Sequence, residues 1–219
     1  MTSSYPEYSL QALTEARHWL AARCEVMARA EAATPPVGWR RRPGGFAGLT
    51  KMIVEQQVSV AAAAAIWRRV EAGLGCVTPE AVLAFNEPDL KVFGLSAPKV
   101  RYVRGLATAV YSGAFDFDAL EALDDAEAVE ALIALNGVGR WTAETYLMFC
   151  HGRLDLFPAA DVALQEAVRV AEAAETRRTP KDLAERALRW RPYRSVAAHL
   201  LWAYYGAIKR GEAEAPTKT

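Results

Sequence analysis

Residues 129–169 restrict the fold of this chain more than any other stretch. Val129, Leu132, Ile133 and Leu135 form the apolar face of a helix end, and the chain then turns through Asn136-Gly137-Val138-Gly139. A second helical run opens at Arg140-Trp141-Thr142-Ala143. Two glycines around one β-branched residue permit a tight turn with positive φ and leave backbone N–H groups bare. Those donors sit at the start of the following helix, where the dipole favours an anion such as a phosphate. Further on, Phe157-Pro158-Ala159-Ala160-Asp161 is a proline-led turn that presents one carboxylate at the start of another helix.

Alanine is abundant and strand formers are scattered, so the expected fold is all-α. At 219 residues the chain is long enough for one large domain or two small lobes with a real core. A 52% hydrophobic, 24% charged composition is ordinary for a soluble globular protein. No apolar run approaches the ~20 residues that span a bilayer, and no signal peptide opens the chain. Cys24, Cys76 and Cys150 are far apart, in apolar surroundings, and read as reduced core thiols, which points to the cytoplasm.

The formal net charge is zero, which argues mildly against a nucleic-acid partner. The bases are nevertheless clustered, at Arg40-Arg41-Arg42, at Lys99, Arg101 and Arg104, at Arg177-Arg178 and Lys181, and at Arg189, Arg191 and Arg194. An uneven field binds phosphates despite a neutral total, although any single cluster also reads as a solvated helix face.

Along the chain, residues 1–8 read as a loose leader and 9–33 as one amphipathic helix stopped by Thr34-Pro35-Pro36. A basic loop leads to a long helix over 47–70 that contains Glu55-Gln56-Gln57-Val58-Ser59. Thr78-Pro79 and Ser96-Ala97-Pro98 carry helix-start chemistry, a capping hydroxyl followed by proline in the first turn. Helices are expected over 98–112, 116–120, 125–135, 140–150, 161–173, 179–190 and 191–209, with a frayed polar tail from Gly211.

Leu135-Asn136-Gly137-Val138-Gly139 with Asp161 resembles the helix-hairpin-helix plus Gly/Pro/Asp signature of the DNA glycosylase superfamily. Trp141-Thr142-Ala143 resembles the subgroup that removes alkylated purines, 3-methyladenine DNA glycosylase II. The likeness extends over roughly 45–208, through Ile53 to Ser59, Gly94-Leu95-Ser96 and Trp190-Arg191-Pro192-Tyr193-Arg194-Ser195 to Trp202. It implies a single domain over 1–219 in the compact form without an amino-terminal β domain. Two helical lobes would flank a cleft, with the helix-hairpin-helix over about 125–150 at its mouth.

The resemblance implies hydrolysis of the N-glycosidic bond of alkylated purines in double-stranded DNA, after the base is flipped out. Asp161 falls where the family's catalytic aspartate stands. A carboxylate there would stabilise the oxocarbenium-like transition state and activate water. On the residues alone Asp161 reads equally well as an N-cap. Trp141 and Trp202 match aromatic positions of the base pocket, where a ring face would bind a flat cation; for Trp202 a core role is the competing reading. Some relatives place a tyrosine four residues after Trp141, where this chain has Thr145; Met148 shares that helix face, whereas Tyr146 is turned about 140° away.

The same likeness implies backbone contacts from Asn136, Gly137, Val138, Gly139, Arg140 and Thr142, and further phosphate contacts from Lys99, Arg101, Arg104 and Arg194. Gln56 and Gln57 would either face the cleft or bond neighbouring helices. The carbonyls of Ile133, Leu135 and Val138 are the equivalents of a Na⁺ or K⁺ site, and a side chain wedged into the duplex is expected near residues 74–77. Trp141 stands where strand-cutting relatives carry a Schiff-base lysine, which implies a monofunctional enzyme. Three scattered cysteines do not make an iron–sulfur cluster, so no other cofactor is expected. A monomer acting on the nucleoid is the default expectation. The competing readings are another base specificity on the same scaffold, a non-catalytic DNA-binding helix-hairpin-helix module, and an all-helical interaction protein.

Overall fold

A computed structural model describes residues 8–35 and 38–213. Among them the secondary structure is entirely helical: α1 (Leu10–Ala21), α2 (Glu25–Ala32), α3 (Gly45–Glu55), α4 (Val60–Leu74), α5 (Pro79–Ala84), α6 (Glu87–Val92) and α7 (Ala97–Tyr111) come first. After a 3-10 turn (Asp118–Ala122) follow α8 (Asp125–Ile133), α9 (Arg140–Cys150), α10 (Val162–Ala171), α11 (Pro180–Ala187), a second 3-10 turn (Leu188–Trp190) and α12 (Arg194–Lys209). The expected leader, up to residue 7, the tail from residue 214 and Pro36 of the proline stop lie outside the described residues.

The chain divides into two compact units. A terminal unit is formed by Met1–Arg41 with His151–Thr219, and a central unit by Arg42–Cys150. In the central unit α3 packs on α4, α7 and α9, α5 and α6 pack on α7, and α8 packs on α9. Leu49, Ile53, Val100, Leu132 and Leu147 are fully buried there, each worth about 1.5–3 kcal/mol in apolar burial. In the terminal unit α12 packs on α1, α2 and α10. Leu20, Met27, Leu164, Val168, Leu201 and Tyr204 close that core.

Two expected long helices are each broken in two. The run over 9–33 splits at Cys24, whose backbone is extended (φ −151°, ψ 119°) and whose Sγ accepts from Trp190 Nε1 at 3.4 Å. The run over 47–70 breaks at Gln56-Gln57-Val58-Ser59. Gln56 leaves the helix with ψ 135°, Gln57 adopts φ +54°, and Ser59 caps α4 by accepting from Ala62 N at 3.2 Å. An apolar periodicity that continues through a break cannot reveal it; the capping serine is the local signal that could. Asp116-Phe117 precedes a 3-10 turn rather than an α-helix, and the last helix starts three residues later than expected, at Arg194. The start signals at Thr78 and Thr179 cap as expected, each accepting from the amide three residues on at 3.2 Å.

Candidate functional site

In the central unit α8 ends at Ile133, the chain turns through Asn136–Gly139, and α9 begins at Arg140. Gly137 has φ +88°, and a Cβ there would fall 2.3 Å from Tyr102 Cγ, so backbone conformation and packing both demand glycine. Gly139 differs: a Cβ on it would meet nothing within 4 Å, and the residue is exposed. Val138 buries its side chain and donates its N–H to Leu135 O at 3.1 Å, which closes the turn.

The hairpin borders a concavity of about 650 Å³ whose wall includes Gln56, Gln57, Lys99, Tyr102, Gly137 and Thr142. Gln56 Nε2 donates to Gly137 O at 3.1 Å and to Thr142 Oγ1 at 3.2 Å, so of the two glutamines this one braces the turn. Gln57 is exposed in its left-handed conformation, which costs a non-glycine residue about 1–2 kcal/mol. Asn136, Arg101 and Arg140 are also exposed. Arg140 pairs with Glu130 at 2.6 Å, but both side chains are more than half exposed, and such pairs contribute little.

Several expected contact residues are spent inside the fold. Lys99 is 9% exposed and donates from Nζ to Val54 O at 2.7 Å, and burial lowers its pKa below the ordinary lysine value. It braces the end of α3 rather than reaching outward, although it still lines the concavity. Thr142 is buried with its hydroxyl accepting from Gln56. Arg104 donates to Phe85 O. Thr145 and Met148, expected in a base pocket, are 1% and 0% exposed. Thr145 Oγ1 donates back to Trp141 O at 2.7 Å, the usual fate of a threonine inside a helix. Trp141 is 39% exposed, and Tyr146 is fully buried with its hydroxyl accepting from Gly45 N at 2.7 Å. The five-residue step between them puts the two rings on different faces of α9.

In the terminal unit Asp161 caps α10. Its Oδ1 accepts from Leu164 N at 3.0 Å and from the indole Nε1 of Trp202 at 3.2 Å. Two donors on one oxygen fix the plane of the carboxylate. The loop before it is latched at each step. Ser195 Oγ accepts from Leu156 N and donates to Leu156 O, both at 3.0 Å, and buried Gln165 donates to Ala159 O at 2.9 Å. Phe157 packs on Trp190 with ring centroids 5.1 Å apart. Sequence reasoning missed Ser195 and Gln165 as supports: a serine on a helix gives no sign of a partner 39 residues away, and the Gln165 bond back to Ala159 depends on how the intervening loop folds.

Arg194, expected on a phosphate, instead grips Asp155 through Nε to Oδ1 at 2.8 Å and Nη2 to Oδ2 at 3.0 Å. Burial alone would raise the Asp155 pKa; the hydrogen bonds from Arg194 and Arg191 and the Arg194 charge outweigh it and hold the carboxyl below its ordinary value. Of residues 74–77, expected to hold a wedge, Leu74 ends α4 and the rest lie in the α4–α5 connection, with Cys76 exposed, and none of them lines the hairpin concavity. Among the described residues no cluster of His, Cys, Asp and Glu could hold a metal ion, and no helix is long and apolar enough to cross a membrane.

A family model, the HhH-GPD superfamily base excision DNA repair protein, matches residues 50–192, a span that contains the hairpin and Asp161. The chain belongs to that superfamily. The crystal structure of a DNA-3-methyladenine glycosidase from Bacillus halodurans is 32% identical with a TM-score of 0.79, and the match covers 96% of this chain and 94% of that one. The Schizosaccharomyces pombe 3-methyladenine DNA glycosylase, solved in complex with abasic DNA, is 26% identical with a TM-score of 0.77, covering 93% of this chain and 100% of its own. A longer Bacillus subtilis relative is 27% identical over 162 residues, and the chain spans 56% of that protein's length.

Proposed function

We propose that this HhH-GPD protein is a monofunctional DNA glycosylase that hydrolyses the N-glycosidic bond of alkylated purines in duplex DNA. The observation that carries this reading is Asp161, a carboxylate whose plane is fixed by an indole N–H and a helix-start amide. A pure DNA-binding module needs no such group. As the glycosidic bond breaks, positive charge develops on the sugar, and a pre-set carboxylate stabilises it and orients the attacking water. Relatives named for 3-methyladenine support the substrate class. Alkylated purines of the 3-methyladenine and 7-methylguanine kind are cationic, so they leave readily and bind aromatic faces such as the Trp202 indole. Trp141 occupies the position of the Schiff-base lysine of strand-cutting relatives, so the reaction ends at the abasic site.

The enzyme would hold the DNA backbone through hairpin amides, and the empty space over Gly139 would let a phosphate approach the main chain. Exposed Arg101, Asn136 and Arg140 add polar contacts. A monovalent cation on the carbonyls of Ile133, Leu135 and Val138, which all line the same concavity, would add positive charge beside that phosphate. Extruding the base costs a few kcal/mol. Gln57, exposed and lining the hairpin concavity, is better placed to fill the gap than residues 74–77. One chain would suffice, working on the nucleoid.

The test is base release from methylated duplex DNA by the parent and by Asp161→Asn. The parent should free 3-methyladenine or 7-methylguanine, and the variant should be slower by about 10²–10³-fold, the loss typical of a transition-state charge stabiliser. Equal release by both would reduce Asp161 to a helix cap. Duplex binding without release of any base would leave a DNA-binding module.

A further inference from the structure

Three side chains, Ser195, His199 and Trp202, follow one another along α12 at i, i+4 and i+7 and therefore share one face. The first pins Leu156 and the last donates to Asp161. His199 lies between them with Nδ1 2.9 Å from Ser195 O. A carbonyl only accepts, so Nδ1 carries the proton in that bond. The imidazole is stacked on Trp39, with centroids 4.1 Å apart and planes at 27°, and meets Trp202 edge-on at 5.9 Å and 76°. The order of contacts is thus Trp39, His199, Trp202, Asp161, all within the terminal unit.

We propose that His199 is a positioning residue for Asp161: clamped by Trp39 and by the Ser195 carbonyl, it fixes the angle at which the Trp202 indole presents its N–H to the carboxylate. An indole has two side-chain torsions, and a hydrogen bond 3.2 Å long is lost by a modest rotation about either. The carboxylate supplies one end of that bond and α12 anchors the other, and the imidazole packed against the indole restricts its swing. This goes beyond the Asp161–Trp202 contact itself and rests on the glycosylase reading for its kinetic consequence.

The decisive measurement is the ¹H–¹⁵N resonance of the Trp202 indole N–H, assigned by its disappearance in Trp202→Phe. His199→Ala should move that resonance in the same direction as Asp161→Asn does, and His199→Phe, which keeps a ring against the indole, should restore most of the parent position. Single-turnover base release should fall by about tenfold to a hundredfold in His199→Ala. Duplex affinity should stay within about twofold, and His199→Phe should recover most of the rate. An unmoved indole resonance in a folded His199→Ala protein overturns the proposal, and so does a moved resonance with unchanged release. If the parent releases no base at all, the glycosylase reading falls on that result, while the resonance comparison still decides whether His199 sets the Trp202–Asp161 contact.

Discussion

Gly137 in the central unit is held by its own φ of +88° and by one ring, Tyr102, whereas the Asp161 carboxylate in the terminal unit is held by its helix-start amide and by the indole of Trp202 from a remote position. The hairpin is a backbone site. In the proposed function its contacts with DNA are made by main-chain N–H groups, while Gln56 bonds to the turn and Tyr102 packs against it. Asp161, the carboxylate of the proposed reaction, is a side-chain site, and its geometry depends on α12, the helix that supplies Ser195 and Trp202 from more than thirty positions away. A backbone site tolerates almost any side chain that does not intrude, while a side-chain site fails with the loss of one distant partner. Damage should therefore differ in kind between the two units, appearing as lost stability or DNA affinity in one and as lost rate in the other.

The sharpest way to break that contrast is Gly137→Ala. The substitution imposes left-handed strain and drives a methyl group into the Tyr102 ring, at a combined cost of about 2–4 kcal/mol. Urea unfolding should register that loss, and adding Tyr102→Ala should relieve the clash with the ring while leaving the strain and the 2.7 Å approach to Tyr102 Cβ. A Gly137→Ala protein as stable as the parent would mean that the hairpin is not built as described.

A smaller effect should come from pH. Burial, with the nearby Arg40 charge, lowers the His199 pKa from 6.5 to about 4 against the opposing bond to Ser195. The unfolded chain therefore takes up the proton first as the pH falls. The stability associated with neutral His199 is complete above about pH 6.5 and is lost progressively as the pH drops toward 4, by at most about 3 kcal/mol. Asp155, held below its ordinary value, adds a loss of the same sign at lower pH as it is protonated. Comparing urea midpoints of the parent and His199→Phe between pH 7 and pH 4 isolates the histidine, because the phenylalanine protein should lack its share of the slope. Identical slopes would show that the ring titrates as an ordinary exposed histidine.

The smallest effect sharpens the picture of the hairpin. Gly139→Ala meets no atom of the protein and should change stability by less than about 0.5 kcal/mol. Its methyl group would nevertheless occupy the space over the main-chain donors. Loss of one such hydrogen bond, about 1 kcal/mol, predicts a Kd for duplex DNA raised about fivefold. Fluorescence anisotropy with labelled duplex measures it, and an unchanged Kd would place the bound phosphate elsewhere.

The sequence by itself determined what depends on local chemistry. The glycine turn, the caps at Thr78, Thr179 and Asp161, the all-helical composition and the span of α9 all follow from preferences within a few residues of one another. Asp161 and Trp202 were both singled out through a resemblance, and that their side chains meet in a hydrogen bond is what the structure adds. Only the tertiary structure decided which long side chains face outward. Lys99 and Arg194 look like phosphate ligands in a row of letters, yet one braces the end of α3 and the other clamps Asp155, because a buried carbonyl or carboxylate within reach outcompetes water as a partner. Thr145 and Met148 sank into the central unit for a related reason: helical periodicity names a shared face but not whether that face meets solvent or core. The break at Gln56-Gln57 was likewise a tertiary decision, since propensity favoured continuing the helix and the bonds from Gln56 to the hairpin, together with the Ser59 cap, favoured ending it.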